Sequence, residues 1–339
     1  MDVKPFGVLA DGRQTRLYTI SQGAMKAAIS DFGATLVSLW VPDREGTPAD
    51  VVLGFEDANH YIESGAFLGA TVGRCANRIG GAEFTLNGTT YSMERNDNEN
   101  NCHSGSDSYA FCLWEVAEYT PSSITFCLDS PNGHQGFPGN ASIRVTYALD
   151  APGTLRITYD GICDRDTVFN MTNHSYFNLA GHDKGTMAME QILSLNADVF
   201  TVADAMSLPT GEMRSVEGTP MDFRTPKAIG RDIDTAYEPL KLQNGYDHNF
   251  AVKANPCAVL LDPASGRTMQ VYTDCPGVQL DTGNFLNGAE GKNGASYCRR
   301  SGICLETQYY PDALHHPQWE QPVVKAGEPY HSQTLFVFK

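Results

Sequence analysis

The sequence has no long apolar run, no Cys-x-x-Cys pair, no His-x-x-x-His pair and no basic cluster. Each absence excludes something. A membrane-spanning helix needs about 20 consecutive apolar residues. Asp11 also interrupts the N-terminal stretch before an apolar segment of signal-peptide length can form. Nine cysteines, an odd number at irregular spacing, suggest neither a disulfide framework nor a zinc ribbon. A soluble cytoplasmic chain with reduced thiols and no bound metal is therefore expected. The 24 basic and 40 acidic residues leave a formal charge of −16. Nucleic acid and anionic membrane reward basic patches, so neither is expected as a partner.

Two common chemical signatures are also missing. Gly288-Ala289-Glu290-Gly291-Lys292-Asn293-Gly294 has neither the glycine spacing nor the hydroxyl after lysine of a phosphate-cradling loop. No Gly-x-Ser-x-Gly turn exists to strain a nucleophilic serine. Helical periodicity beyond two turns is equally hard to find.

Alternation with a period of two recurs along the whole chain. Ile143, Val145, Tyr147 and Leu149 alternate up to Ala151-Pro152-Gly153, and Leu155, Ile157 and Tyr159 resume the pattern, which predicts a hairpin. Asn87-Gly88 between Phe84, Leu86 and Tyr91, Met93 predicts a second hairpin, with a type I′ turn. Val259 and Leu261 are expected to face Met269 and Val271 in a third. Leu335-Phe336-Val337-Phe338 reads as a closing strand buried on both faces. No linker, repeat or low-complexity segment divides the chain, so residues 1–339 are expected to form one all-β domain. Many strands with one apolar face need either stacked sheets or a closed barrel, and periodicity alone does not choose.

Polar residues in strand-like or turn-like settings mark candidate chemistry. Gly73-Arg74-Cys75-Ala76-Asn77-Arg78-Ile79 packs two arginines and an asparagine among small residues. Asn100-Asn101-Cys102-His103-Ser104-Gly105 carries a histidine, the side chain best suited to proton transfer near neutral pH. Along Asn170–Leu179, alternation puts Thr172, His174 and Tyr176 on one face, more like a pocket lining than a packed interior. Asp247 stands in Gly245-Tyr246-Asp247-His248, where capping a turn is an adequate explanation by itself. Glu306 falls in the apolar run Gly302-Ile303-Cys304-Leu305-Glu306. There an unpartnered carboxylate costs several kcal/mol, so it must pair with a cation or be tuned for acid–base work. The histidines and Arg78 are the available partners. Together these side chains suit proton transfer on a polyhydroxylated small molecule.

These segments resemble the aldose 1-epimerase family, the galactose mutarotases. The likeness runs from Asp50-Val51-Val52-Leu53-Gly54-Phe55 to the Glu306 segment. It passes through Gly136-Phe137-Pro138-Gly139-Asn140, Leu208-Pro209-Thr210-Gly211-Glu212, Thr219-Pro220-Met221-Asp222-Phe223-Arg224 and Gly277-Val278-Gln279 followed by Thr282-Gly283-Asn284-Phe285-Leu286. The resemblance implies a large antiparallel β-sandwich with an open sugar cleft, anomer interconversion of an aldose such as galactose or glucose, and no cofactor. It also implies that His174 protonates the ring oxygen as general acid and that Glu306 takes the anomeric hydroxyl proton as general base. Histidine near its ordinary pKa and an ionised glutamate would suit those roles at neutral pH. Asn77, Arg78, His103, Tyr176, Asp247 and Gln279 would line the sugar site, in a monomer or weak homodimer. Two positions depart from the family: Ser104, where Leu-His-Gly-Gly is usual around the histidine, and Asp281, where an aromatic residue is common. A hexose-6-phosphate epimerase or a non-catalytic sugar binder on the same fold are the alternative readings.

Overall fold

The computed structural model describes residues 2–150 and 153–339. Three antiparallel sheets carry the architecture. The longest orders nine strands as Glu115–Tyr119, Ser123–Ser130, Ala141–Asp150, Thr154–Cys163, Tyr330–Phe338, Thr268–Thr273, Ala258–Leu261, Ile192–Leu195 and Lys227–Ala228. The last strand of the chain thus enters the middle of this sheet and joins its two halves. A five-stranded sheet in sequence order, Asp2–Val8, Gln14–Gln22, Met25–Ser30, Thr35–Pro42 and Pro48–Asp50, packs across the Ser123–Ser130 and Ala141–Asp150 strands. Each sheet is open-edged, so stacked sheets, not a closed barrel, bury the apolar faces. Two short α-helices, Ala58–Ser64 and Glu238–Leu242, add no layer. No helix among the described residues is long and apolar enough to cross a membrane.

The alternation works as steric logic requires. Along Ala141–Asp150, Ile143, Val145 and Tyr147 are fully buried while Ser142 and Arg144 face solvent. Val145 pairs with Tyr159 and Tyr147 with Ile157, as the hairpin pattern predicts. Ala151 and Pro152 of its turn lie outside the described residues. Asn87 and Gly88 both have positive φ, 50° and 78°, which is what a type I′ turn demands.

Two expectations need correction. In the third hairpin Leu260 faces Met269 and Ala258 faces Val271, so Val259 and Leu261 lie on the opposite, half-buried face. The Asp262–Arg267 loop, closed by the Asp262 amide donating to the Arg267 carbonyl at 2.9 Å, sets that register. The closing strand is not buried on both faces: Phe336 and Phe338 are buried, whereas Leu335 and Val337 are half-buried. Only one face of the long sheet is covered at that point.

The third sheet positions the site. Its order is Pro209–Ser215, Val199–Ala203, Asp247–Ala251, Gly277–Asp281 and Cys304–Gln308. Phe250, Val278, Leu280 and Leu305 point into the core. The opposite face holds Asp247, Asp281 and Cys304 in one cross-strand row and Asn249, Gln279 and Glu306 in the next.

Candidate active site

Glu306 sits mid-strand with 2% exposure. Its Oε1 lies 3.8 Å from His174 Nε2, and its Oε2 has no hydrogen-bond partner. The buried carboxylate expected from sequence therefore exists, and its nearest base is a histidine. Arg78 faces the same cavity, where its Nε donates to Asp97 Oδ2 at 2.7 Å, and it acts on Glu306 only as a more distant positive charge.

His174 arrives on a segment that leaves strand pairing after Thr172 and Asn173 meet Val72 and Thr71. The His174 amide then donates to the Ala70 carbonyl, and its own carbonyl accepts from the Gly69 amide. His174 and Tyr176 stack with ring centroids 5.1 Å apart and both line the cavity. Thr172, expected on the same face, instead donates its hydroxyl to the Thr307 carbonyl at 2.9 Å. Strand geometry ends at Asn173, so the alternation no longer fixes orientation beyond it. Tyr176 needs a glycine opposite: a Cβ at Gly302 would lie 2.8 Å from that of Tyr176.

Cys304 Sγ lies 3.5 Å from His174 Nδ1. Burial holds the thiol well above its ordinary pKa, so it can donate S–H to Nδ1 and leave the ring proton on Nε2, the nitrogen facing Glu306. His103 is fixed in the same way. Its Nδ1 accepts the Asn77 amide at 3.1 Å, which places the proton of the neutral ring on Nε2.

Asn77, Arg78, His103, His174, Tyr176, Asp247 and Glu306 line one cavity of about 310 Å³. Gln279 does not. It lies behind Asp247, donating Nε2–H to Oδ1 at 2.6 Å. Possible ligand atoms of His103, His174 and Glu306 lie within 4.8 Å of one another, a juxtaposition that no linear spacing could reveal. A larger cleft of about 630 Å³ lies beside Trp40 and His182. Its buried ammonium, Lys292, is consumed by Asp50 at 2.6 Å and by the carbonyls of Val37 and Val52. The smaller cavity is the one with unspent acid–base groups.

Two aromatic rings that line the cavity, Phe67 and Phe285, are not among the site residues expected from sequence. Phe67 packs against both histidines, with centroids 4.9 Å from His103 and 6.2 Å from His174; nothing in its local sequence marks it. Phe285 stands 68% exposed at the rim, within the Thr282–Leu286 segment that carries part of the family resemblance. Asp281, marked in the sequence as a departure from the family, keeps strand register opposite Asp247 and lines the cavity. Ser104 adopts φ of 68°, a conformation that favours glycine, and its Oγ both donates to the Cys75 carbonyl and accepts the Cys75 amide at 2.9 Å. Those two bonds offset the backbone cost.

Electrostatics correct the expected protonation states. Burial pushes His174 down to about 4, and burial together with His174 and Arg78 pushes His103 well below the ordinary imidazole value. Burial, then Asp281 and Asp247, raise Glu306 well above the carboxylate range. A histidine near 6.5 facing an ionised glutamate is therefore not the resting state, because a dry cavity disfavours both charges.

A family profile described as Aldose 1-epimerase matches residues 16–337. The chain belongs to the aldose 1-epimerase family. It is 38% identical to a galactose mutarotase from Bos taurus, covering 98% of this chain and 97% of that protein. It is 37% identical to an aldose 1-epimerase from Haemophilus influenzae, covering 97% of each. Among solved structures, an aldose epimerase homologue from C. elegans superposes with a TM-score of 0.88 at 28% identity, over 96% of this chain and 99% of that one. A galactose 1-epimerase from Lactobacillus acidophilus gives 0.87 at 26% identity, over 100% and 98%. The fold is accordingly that of the galactose mutarotases, and the enzyme is an isomerase that interconverts the anomers of an aldose.

Proposed function

We propose that His174 and Glu306 carry this mutarotation on a neutral aldohexose such as D-galactose or D-glucose. The observation that carries the reading is the buried His174–Glu306 pair, 3.8 Å apart at the wall of a sugar-sized cavity, with Glu306 Oε2 unpartnered. Glu306 takes the proton of the anomeric hydroxyl while His174 Nε2 gives one to the ring oxygen. The C1–O5 bond breaks and C1=O forms. The aldehyde turns about C1–C2, and reclosure on the other face returns both protons.

Ring opening converts imidazolium plus carboxylate into imidazole plus carboxylic acid. Both arrangements hold one proton and the same total charge, so the pair titrates as a unit. Burial favours the uncharged arrangement in the empty cavity. Sugar hydroxyls donated to Glu306 favour the carboxylate and bring the pair to its starting state. Asp247, oriented by Gln279, accepts further sugar hydroxyls, while Arg78 and the His103 Nε2–H donate.

A phosphorylated substrate fits poorly, because Asp247, Asp281 and Glu306 would face the dianion with Arg78 as the one guanidinium on the cavity wall among the described residues. All nine cysteines are free, which supports a reducing cytoplasmic setting. Polarimetry on freshly dissolved α-D-galactose and α-D-glucose tests the reading. Wild type should equilibrate both faster than buffer, and Glu306→Gln or His174→Asn should each lose about 10²–10⁴-fold in kcat. Retention of wild-type rates by either folded variant would remove that residue from the chemistry.

A further inference from the structure

Most cavity-lining groups already have a role in the reaction proposed above. Asp281 does not. It is 8% exposed, and one carboxylate oxygen accepts the Gly283 amide at 2.9 Å, leaving the side chain directly across from Asp247 on the cavity face. Three carboxylates, Asp247, Asp281 and Glu306, line this space of about 310 Å³. Among the described residues one guanidinium, Arg78, faces them, with its Nε bonded to Asp97. Burial holds the two histidines neutral, and the same burial, with Asp247 alongside, raises Asp281 to about 7.

Asp281 and Asp247 lie side by side on the cavity face and repel each other when both are ionised, so a cation placed beside them relieves that repulsion. Aromatic rings complete the enclosure. Phe67 and Tyr176 line the wall and Phe285 stands at the rim, the surfaces over which cations settle.

We propose that Asp281 is a specificity-determining residue that makes this cavity prefer aldoses carrying an ammonium group over neutral and anionic aldoses. The proposal rests on the mutarotase reading and names its substrate class. The ammonium group donates to Asp281 and offsets the crowding of Asp281 against Asp247. A uronate or phosphate would meet the same carboxylates with like charge, so the site discriminates by repulsion as well as attraction.

The test compares kcat/KM on D-galactose, 2-amino-2-deoxy-D-galactose, 6-amino-6-deoxy-D-galactose and D-galacturonate. Each fresh anomer is followed by polarimetry in neutral buffer, where Asp281 ionises and the amines remain protonated, with EDTA to keep divalent cations from taking the place of the amine. At least one amino sugar should exceed galactose by about tenfold, a factor typical of one charged contact, and galacturonate should be slowest. In Asp281→Asn, which keeps the acceptor for the Gly283 amide, the amino-to-neutral ratio should collapse toward one. A wild-type ratio at or below one overturns the proposal without need of the variant, as does a ratio that Asp281→Asn leaves intact. The galactose arm reads the underlying activity separately. Catalysis of galactose with no amino preference sinks only the Asp281 proposal, whereas no acceleration of any of the four sugars sinks both.

Discussion

At the residue scale, the acid–base pair makes a definite statement about pH. The competent state holds one proton between His174 and Glu306. A second proton joins only as pH falls to the depressed histidine value of about 4, and the first leaves only above the raised glutamate value. The acid limb of kcat/KM should therefore lie near pH 4, and activity should stay level through about pH 6.5, where an ordinary imidazole would titrate. A pH–rate profile by polarimetry decides it. An acid limb centred at the ordinary imidazole value would mean that His174 is solvated in the free enzyme.

At the scale of elements, two residues hold the site's scaffold. Arg74, singled out from sequence beside Arg78, is fully buried and has no carboxylate partner. Its guanidinium donates to the Pro138 carbonyl, the Ser130 and Thr167 hydroxyls and the Tyr109 hydroxyl, fastening two strand ends, a helical turn and a loop together. Lysine offers a single point charge in place of that planar fork. Arg74→Lys should thus cost about 2–4 kcal/mol of stability by urea denaturation. A loss below 0.5 kcal/mol, the range of ordinary surface changes, would show that the fork is dispensable. The second is Gly277, in the strand between those of Asp247 and Glu306. A Cβ there would lie 2.3 Å from Asn249 Oδ1 and 2.9 Å from the Tyr310 ring. Gly277→Ala should cost about 1–3 kcal/mol through overpacking, and kcat should fall because the strands bearing Asp247 and Glu306 are pushed apart. Unchanged melting and kcat would show that Asn249 simply swings away.

At the scale of the molecule, one contiguous core runs through all three sheets, from Ile20 and Leu39 through Ile143 and Ile157 to Phe250, Leu280 and Leu305. We infer that residues 1–339 unfold as a single domain, with the C-terminal strand joining both halves of the long sheet. Far-UV and near-UV circular dichroism should report coincident thermal transitions, and two separated transitions would divide the chain. Reductant should leave the midpoint unchanged, since the cysteines are free.

Sequence by itself determined the strand class, the hairpins at Asn87-Gly88 and around Ile143–Tyr159, and the oddity of Glu306 in an apolar run. These follow from local rules: a period of two, turn residues with positive φ, and the cost of a buried carboxylate. The family resemblance pointed to His174 as its partner. Tertiary structure decided the rest. The 3.8 Å approach of His174 to Glu306 joins residues far apart in the chain. The enclosure by Phe67, the withdrawal of Gln279 behind Asp247 and the placement of Asp281 in the cavity depend on which strands lie side by side. Protonation was beyond the sequence for the same reason, because a pKa is set by the water and charges that folding removes or brings near. Alternation tells which face a side chain takes, but only strand order and register tell what it meets there.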